Sequence, residues 1–214
     1  MMSATAPFFP EVIVAWKATT ILYGNEIPAK EFLHAASKFV PIFDRLGPSF
    51  RPVKGDVGGN IEKLRRNLER RSEKKTIQQL VLSEPMNGNR IDSNGASSAL
   101  LWYSRAMQFI FAVLLKVSEG TDGNRAAKEA YHETLSRHHG FVIKKAFEVG
   151  MMTAPSTDTM LAYLGPDKVC RDEVHTTQVE RKISFLFCRP DWELAKRDSA
   201  VFARISLSGD DAAT

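Results

Sequence analysis

Hydrophobic residues recur at helical spacing along most of this chain. Phe32, Leu33, Ala36, Phe39, Val40 and Phe43 follow an i, i+3/4, i+7 rhythm, which predicts an amphipathic helix over 28–46. Pro41 predicts a kink or a division in two, because its ring removes a helical hydrogen bond and crowds the turn before it. Gly47-Pro48 ends the stretch. A second helix is expected over 56–72, where Val57, Ile61, Leu64 and Leu68 form one seam, and Ser49–Lys54 is expected as the connector before it. Gly58 and Gly59 fall inside this second helix, each at a cost of about 1 kcal/mol against alanine. Such a cost points to the close approach of another helix or of a ligand. A short helix over 76–82 and a loop over 83–93, rich in Asn, Gly and Pro, follow.

From Leu100 to Val117 the chain is apolar nearly all round. The helix expected over 97–118, capped by Ser97 or Ser98 and stopped by Gly120, should therefore be the most buried. A long helix is expected over 125–153, broken near Gly140. Its apolar face is Ala127, Tyr131, Leu135, Val142, Ala146 and Val149, with His139, Ile143, Phe147 and Gly150 beside it. Short helices over 11–22 and 157–164 complete the pattern. No convincing strand pair appears, so the class is all-α, with about six to eight helices.

After Gly165 the character changes. Residues 166–214 are dense in charges of mixed sign, and Pro190 interrupts them. They offer no apolar stripe wide enough to wall a core, so this segment is expected to pack poorly or to be partly disordered. The chain thus divides into an N-terminal segment over 1–27, a helical domain over 28–165 and a divergent tail over 166–214.

Composition narrows the class. With 214 residues, 43% of them apolar, the chain can bury a full core without metals or disulfides. Its two cysteines, Cys170 and Cys188, match no metal spacing and fit a reducing compartment. No signal-peptide pattern opens the chain, and the unbroken apolar run Phe109–Leu115 is too short to span a bilayer. A cytoplasmic protein is expected. A net charge of +4 and the pairs Arg65-Arg66, Arg70-Arg71 and Lys74-Lys75 suit a solvated helix face as well as a phosphate patch. No nucleic-acid partner is expected.

Several chemistries are excluded. There is no Gly-x-Ser-x-Gly, and no cysteine in a basic, helix-starting context. His132 and His139 share a helix face but lie about 10 Å apart along the axis, and His138 is on another face, so no metal site is expected. Gly55–Asn60 lacks the Lys-Ser/Thr of a phosphate loop. Neither enzymatic activity nor a cofactor is expected. What remains is a row: Asp56, Asn60 and Lys63, at i, i+4 and i+7, stack on one helix face beside the Val57–Leu68 seam. An acceptor, an amide and an ammonium suit a ligand rich in hydroxyls. An ordinary polar stripe explains the row better when it stands alone, and a packed core explains Trp102 and His139 alone. Together the five form a polar mouth over a chamber lined by Phe39, Phe43, Phe109, Leu135, Ile143 and Phe147, with Trp102 as a flat face for a sugar ring. That is the outline of a lipid site with a headgroup clasp.

The segment F-L-H-A-A-S-K-F-V-P-I-F-D-R-L-G-P-S-F-R-P-V-K-G-D-V-G-G-N-I-E-K-L (32–64) resembles the first half of the glycolipid transfer protein family. L-L-W-Y-S-R-A-M-Q-F (100–109) resembles its tryptophan helix, and Y-H-E-T-L-S-R-H-H-G-F-V-I-K-K-A-F (131–147) with T-A-P (153–155) its histidine helix. The resemblance covers about 28–165. It implies a two-layer helical sandwich that encloses one lipid and carries it between membranes, touching them only transiently, with no obligate protein partner. It implies Asp56, Asn60, Lys63 and Trp102 as the headgroup clasp and His139 as the partner of the ceramide amide carbonyl. Phe43, Phe50, Leu135 and Phe147 would stand where the chains go in. Phe141, where the glycolipid branch often has Trp, would meet the membrane together with Lys144 and Lys145. A branch that carries ceramide-1-phosphate would want cations in place of Asn60 and near Trp102. Asn60 and Trp102 therefore favour a glycosphingolipid, with ceramide-1-phosphate carriage or a non-transferring sphingolipid sensor as alternatives. The tail departs from the apolar last helix of the family.

Overall fold

The structure, a computed structural model, describes residues 8–19, 26–85 and 92–164. The expectations for the tail over 166–214 and for part of the loop over 83–93 lie outside the described residues. Among those described are nine α-helices and no strand: α1 (Phe9–Ala18), α2 (Ala29–Phe39), α3 (Ile42–Arg45), α4 (Arg51–Arg70), α5 (Ile77–Leu82), α6 (Ala96–Ser118), α7 (Gly123–Glu133), α8 (Phe141–Met151) and α9 (Thr157–Leu164).

Pro41 does divide the first long helix, into α2 and α3. Gly47 then turns the chain at φ 101°, a backbone that favours glycine. The expected connector Ser49–Lys54 is instead a 3₁₀ turn over Pro48–Phe50 followed by the start of α4. Pro52 stands in the first helical turn, where its missing N–H has no partner to lose. The helix expected from Asp56 therefore begins at Arg51, and Asp56 lies mid-helix, not at its start.

The cap of α6 also differs from expectation. Ser97 lies inside the first turn, and the cap is the carboxylate of Glu84, which reaches across from the end of α5. It accepts from the Ser97 backbone N–H at 3.0 Å, and also from the Ala96 N–H and the Ser97 hydroxyl. A Cβ on Gly95 would stand 2.6 Å from that carboxylate, so glycine is needed for the approach. The long helix expected over 125–153 breaks earlier than Gly140. It ends at Glu133, a 3₁₀ turn covers Ser136–His138, and α8 restarts at Phe141.

The architecture is the two-layer helical sandwich. α6 packs against both α4 and α7, and α2 joins α1 to α4. By length and composition α6 could cross a membrane. Here Tyr103, Ala106, Phe109, Ile110 and Val113 are buried in the core, which accounts for its apolar surface. Three contacts set the register of α4 on α6. Asn67 Nδ2 donates to the Asn94 carbonyl at 2.9 Å, Lys63 Nζ to the Ser93 carbonyl at 3.1 Å, and Phe50 stacks on Phe109 at 6.2 Å. The two helices therefore run antiparallel. Midway between these anchors, Trp102 stands level with Gly58 and Gly59.

Candidate functional site

The row on α4 is built from its own hydrogen bonds. Asn60 is buried, and its Nδ2 donates to the Asp56 backbone carbonyl at 2.9 Å and to Asp56 Oδ1 at 3.2 Å. Asp56 itself is solvent-exposed. Desolvation by its neighbours raises the Asp56 carboxyl above its ordinary value, against the opposing pull of the Asn60 bond and the Lys63 charge. The exposure keeps that effect small, and the carboxylate can still accept from a ligand. Lys63 is tied to the Ser93 carbonyl, which holds its ammonium at the loop before α6.

The second half of the site comes from α6 and the break between α7 and α8. The half-buried Trp102 ring lies nearly parallel to His139, with centroids 5.9 Å apart and planes at 18°. The Tyr131 hydroxyl is 3.1 Å from His139 Nδ1. Tyr131 is buried, and among the described residues no other acceptor reaches its hydroxyl. A Tyr131 hydroxyl that donates to Nδ1 places the histidine proton on Nε2. Burial first, then the charges of Lys144 and Arg105, hold His139 below the usual histidine range, so the ring is neutral at pH 7. A neutral ring with Nε2–H is a donor for a carbonyl.

Beneath this polar set lies a ring column. Tyr131 stacks on Phe147 at 4.1 Å and 14°, Phe147 meets Phe109 edge-on at 5.4 Å, and Phe109 stacks on Phe50. Phe39, Phe43 and Leu135 are buried in the same core, with Phe39 and Phe43 at 6.4 Å. The rings touch, so side chains fill the expected chamber region. A groove of about 660 Å³ lies elsewhere, between α2 and α4, and is lined by Lys30, Leu33, His34, Arg65 and Leu68 among others.

Ile143, expected in the chamber, is not there. It is 54% exposed on the outer side of α8, together with Phe141, Val142, Val149 and Met152. The face of α8 turned inward carries Phe147 and Met151, because the break at 134–140 resets the helical phase and Val142, Ala146 and Val149 turn outward. Phe141 and Lys145 stand together on the outer face, with Lys145 Nζ 6.0 Å from the Phe141 ring centroid. Lys144 is half-buried and acts on His139.

Two residues of the site escaped the sequence reading. Tyr131 looked like a core position, and its bond to His139 spans a helix break that periodicity does not reveal. Arg105 was visible as a charge in an apolar helix three residues after Trp102, the spacing that brings side chains together. Its guanidinium lies 4.9 Å from the Trp102 ring centroid.

Residues 27–166 match the family described as Glycolipid transfer protein (GLTP). The chain is 34% identical over 160 residues to human Pleckstrin homology domain-containing family A member 8, covering 73% of this chain and 31% of that protein. It thus spans about a third of the length of such relatives. It is 31% identical over 159 residues to the zebrafish (Danio rerio) Glycolipid transfer protein, covering 70% of this chain and 76% of that one. Among solved structures, the GLTP-fold structure that addresses how FAPP2 selects simple glycosphingolipids superposes with a TM-score of 0.73 at 29% identity, covering 95% of this chain and 98% of that one.

Proposed function

The chain belongs to the glycolipid transfer protein family, and on that premise we propose that it is a non-enzymatic carrier of glycosphingolipids between membranes. What supports this reading is the polar row on α4 and the Trp102–His139 pair, carried by helices that pack against each other. Asp56, Asn60 and Lys63 stand on α4, and Trp102 lies against a neutral His139. Asp56 and Lys63 take sugar hydroxyls, Trp102 takes the apolar face of the ring, and His139 donates to the amide carbonyl of the ceramide. The chains part the Phe147–Phe109–Phe50 column, which rests on a helix, α8, with only Met151 fully buried. The outer face of α8, with Phe141, Val142 and Lys145, meets the bilayer on the cytoplasmic side. Asn60, a neutral amide, supports a sugar over a phosphate at the ceramide oxygen.

A vesicle-to-vesicle assay with fluorescent galactosylceramide tests the reading. The wild type moves the lipid, and Asp56→Val abolishes transfer with the helical circular dichroism unchanged. Normal transfer by Asp56→Val refutes the clasp. Competition by unlabelled ceramide-1-phosphate equal to that by glucosylceramide refutes the headgroup preference.

A further inference from the structure

The groove between α2 and α4 has no part in the lipid reading, and its two walls are built alike. α2 offers Lys30, Leu33, His34 and Ser37, and α4 offers Arg65, Leu68, Glu69 and Ser72. Each set falls at i, i+3, i+4 and i+7, a stripe of two turns about 10 Å long. The stripes run antiparallel. At one end Arg65 Nη2 donates to Ser37 Oγ at 3.2 Å. At the other the Ala29 N–H donates to the Lys75 carbonyl at 2.9 Å, which brings Lys74 and Lys75 to the Lys30 end. The groove therefore carries cations at both ends, Arg65 at one and Lys30, Lys74 and Lys75 at the other. Between them Leu33 and Leu68, 5% and 8% exposed, make an apolar floor. Glu69 stands at the middle beside Leu68, the one carboxylate in the lining among the described residues. Lys30 makes no ion pair among the described residues. Arg65 is paired with Glu62 at 2.6 Å and Lys74 with Glu73 at 3.7 Å, both open to solvent. Pairs of that kind contribute little, so an incoming carboxylate can displace them.

We infer that this groove docks an acidic peptide segment of a partner protein, in which an apolar side chain of leucine size stands between two carboxylates. In an extended chain residues i, i+2 and i+4 face one way and span about 13 Å. The outer two meet the end cations, which reach beyond the stripe, and the middle one covers Leu33 and Leu68. Glu69 repels an acid at the middle position, so the groove reads a pattern of charge and not its sum. The shape argues against a bilayer as occupant, because the floor is concave and is reached by an inserted side chain but not by a flat surface. The α4 stripe lies about 160° round the helix from Asp56, Asn60 and Lys63. A partner held there leaves the polar row open.

The test is fluorescence anisotropy of a labelled synthetic peptide, aspartate–serine–leucine–serine–aspartate flanked by glycines, titrated with the full chain. No lipid is present, so the outcome does not depend on the carrier reading. Binding should weaken as salt is raised. Serine in place of the peptide's leucine should weaken it about tenfold, the scale of burying one leucine side chain. Lys30→Glu, at an exposed position that leaves the core untouched, should weaken it several-fold. The same variant should regain binding to a peptide with lysine in place of one aspartate. No binding by the wild type overturns the inference. Equal binding of the leucine and serine peptides overturns it as well, since diffuse charge would then be the whole attraction. So does failure of the lysine peptide to rescue Lys30→Glu. Asp56→Val should bind the peptide as the wild type does, and a loss there would place the peptide in the polar row and sink the groove. Vesicles of phosphatidylcholine with phosphatidylserine give the membrane arm: vesicle binding should be the same in Lys30→Glu and wild type, and a loss in the variant as large as its loss of peptide binding would make the groove a lipid-facing surface and overturn the peptide.

Discussion

Replacing Gly58 and Gly59 by alanine separates what α4 does for the fold from what it does for the ligand. Both glycines lie inside a twenty-residue helix, where each forfeits stability relative to alanine. Among the described residues the cost is not repaid by a neighbouring helix: a Cβ built at either position meets none of their atoms within 4 Å, and neither residue has a positive φ. Each substitution should therefore stabilise the protein by about 0.5–1 kcal/mol. The two sites sit about 100° apart around the helix, so the effects should add. For a protein of this size the pair should raise Tm by about 2–8 °C. Transfer should respond in the opposite direction. The methyl group added at Gly59 lies about 60° round α4 from Asp56, beside the space a sugar crossing from α4 to α6 would use, whereas the one at Gly58 lies about 160° from Asp56 and should leave transfer unchanged. One unrelieved overlap costs about 1–3 kcal/mol, which corresponds to at least a fivefold loss of transfer rate. Thermal melts followed at 222 nm and the vesicle assay on the same preparations read both numbers. A lower Tm would show that the space is not open. A higher Tm with undiminished transfer would show that no ligand uses it.

Tyr131→Phe keeps the stack on Phe147 and removes only the donor to His139. It should cost about 1 kcal/mol of stability and lower transfer several-fold, with imidazole ¹⁵N shifts reporting a mixture of tautomers; shifts identical to wild type would refute the assigned donor. Glu84→Ala strips the cap from α6 and should cost about 2–4 kcal/mol in urea unfolding, while a loss near zero would mean that water replaces the carboxylate. Burial and the charges of Arg105 and Arg137 bring His138 from 6.5 down to about 4. Between those values the unfolded chain binds a proton that the folded chain refuses, so stability is complete above about pH 6.5 and is lost as the pH falls toward 4. His138→Gln should flatten that part of the Tm–pH curve, and an unaltered slope would dismiss the residue as the cause.

Much of the fold was legible because the apolar rhythm of each helix records which face is buried. The division at Pro41, the core role of 97–118 and the short helices at 77–82 and 157–164 all follow from local pattern and backbone chemistry. The misjudged features depend on residues distant in sequence. Glu84 caps a helix twelve residues away through a side chain that looks like any surface acid, and Ser97 had the local signature of a cap without the position. The break at Glu133–Phe141 contains no proline, so the phase of α8 could not be carried over from α7, and Ile143 was assigned to the wrong side. Asp56, Asn60 and Lys63 could be placed on one face from the sequence because all three lie on one uninterrupted helix. Tyr131 and Arg105 did not stand out, since their importance lies in what they touch across helices.

The position of Tyr131 has a thermodynamic consequence. Its hydroxyl is bonded to Nδ1 of His139, and its ring lies face to face with Phe147. A hydrocarbon chain that displaces Phe147 must therefore load the same side chain that prepares the histidine for an amide. The free energies of binding a head and of binding a tail should then not add. The departure from additivity, read by comparing a ceramide without its sugar, a sugar without its chains and the whole amphiphile, is the coupling that Tyr131 transmits.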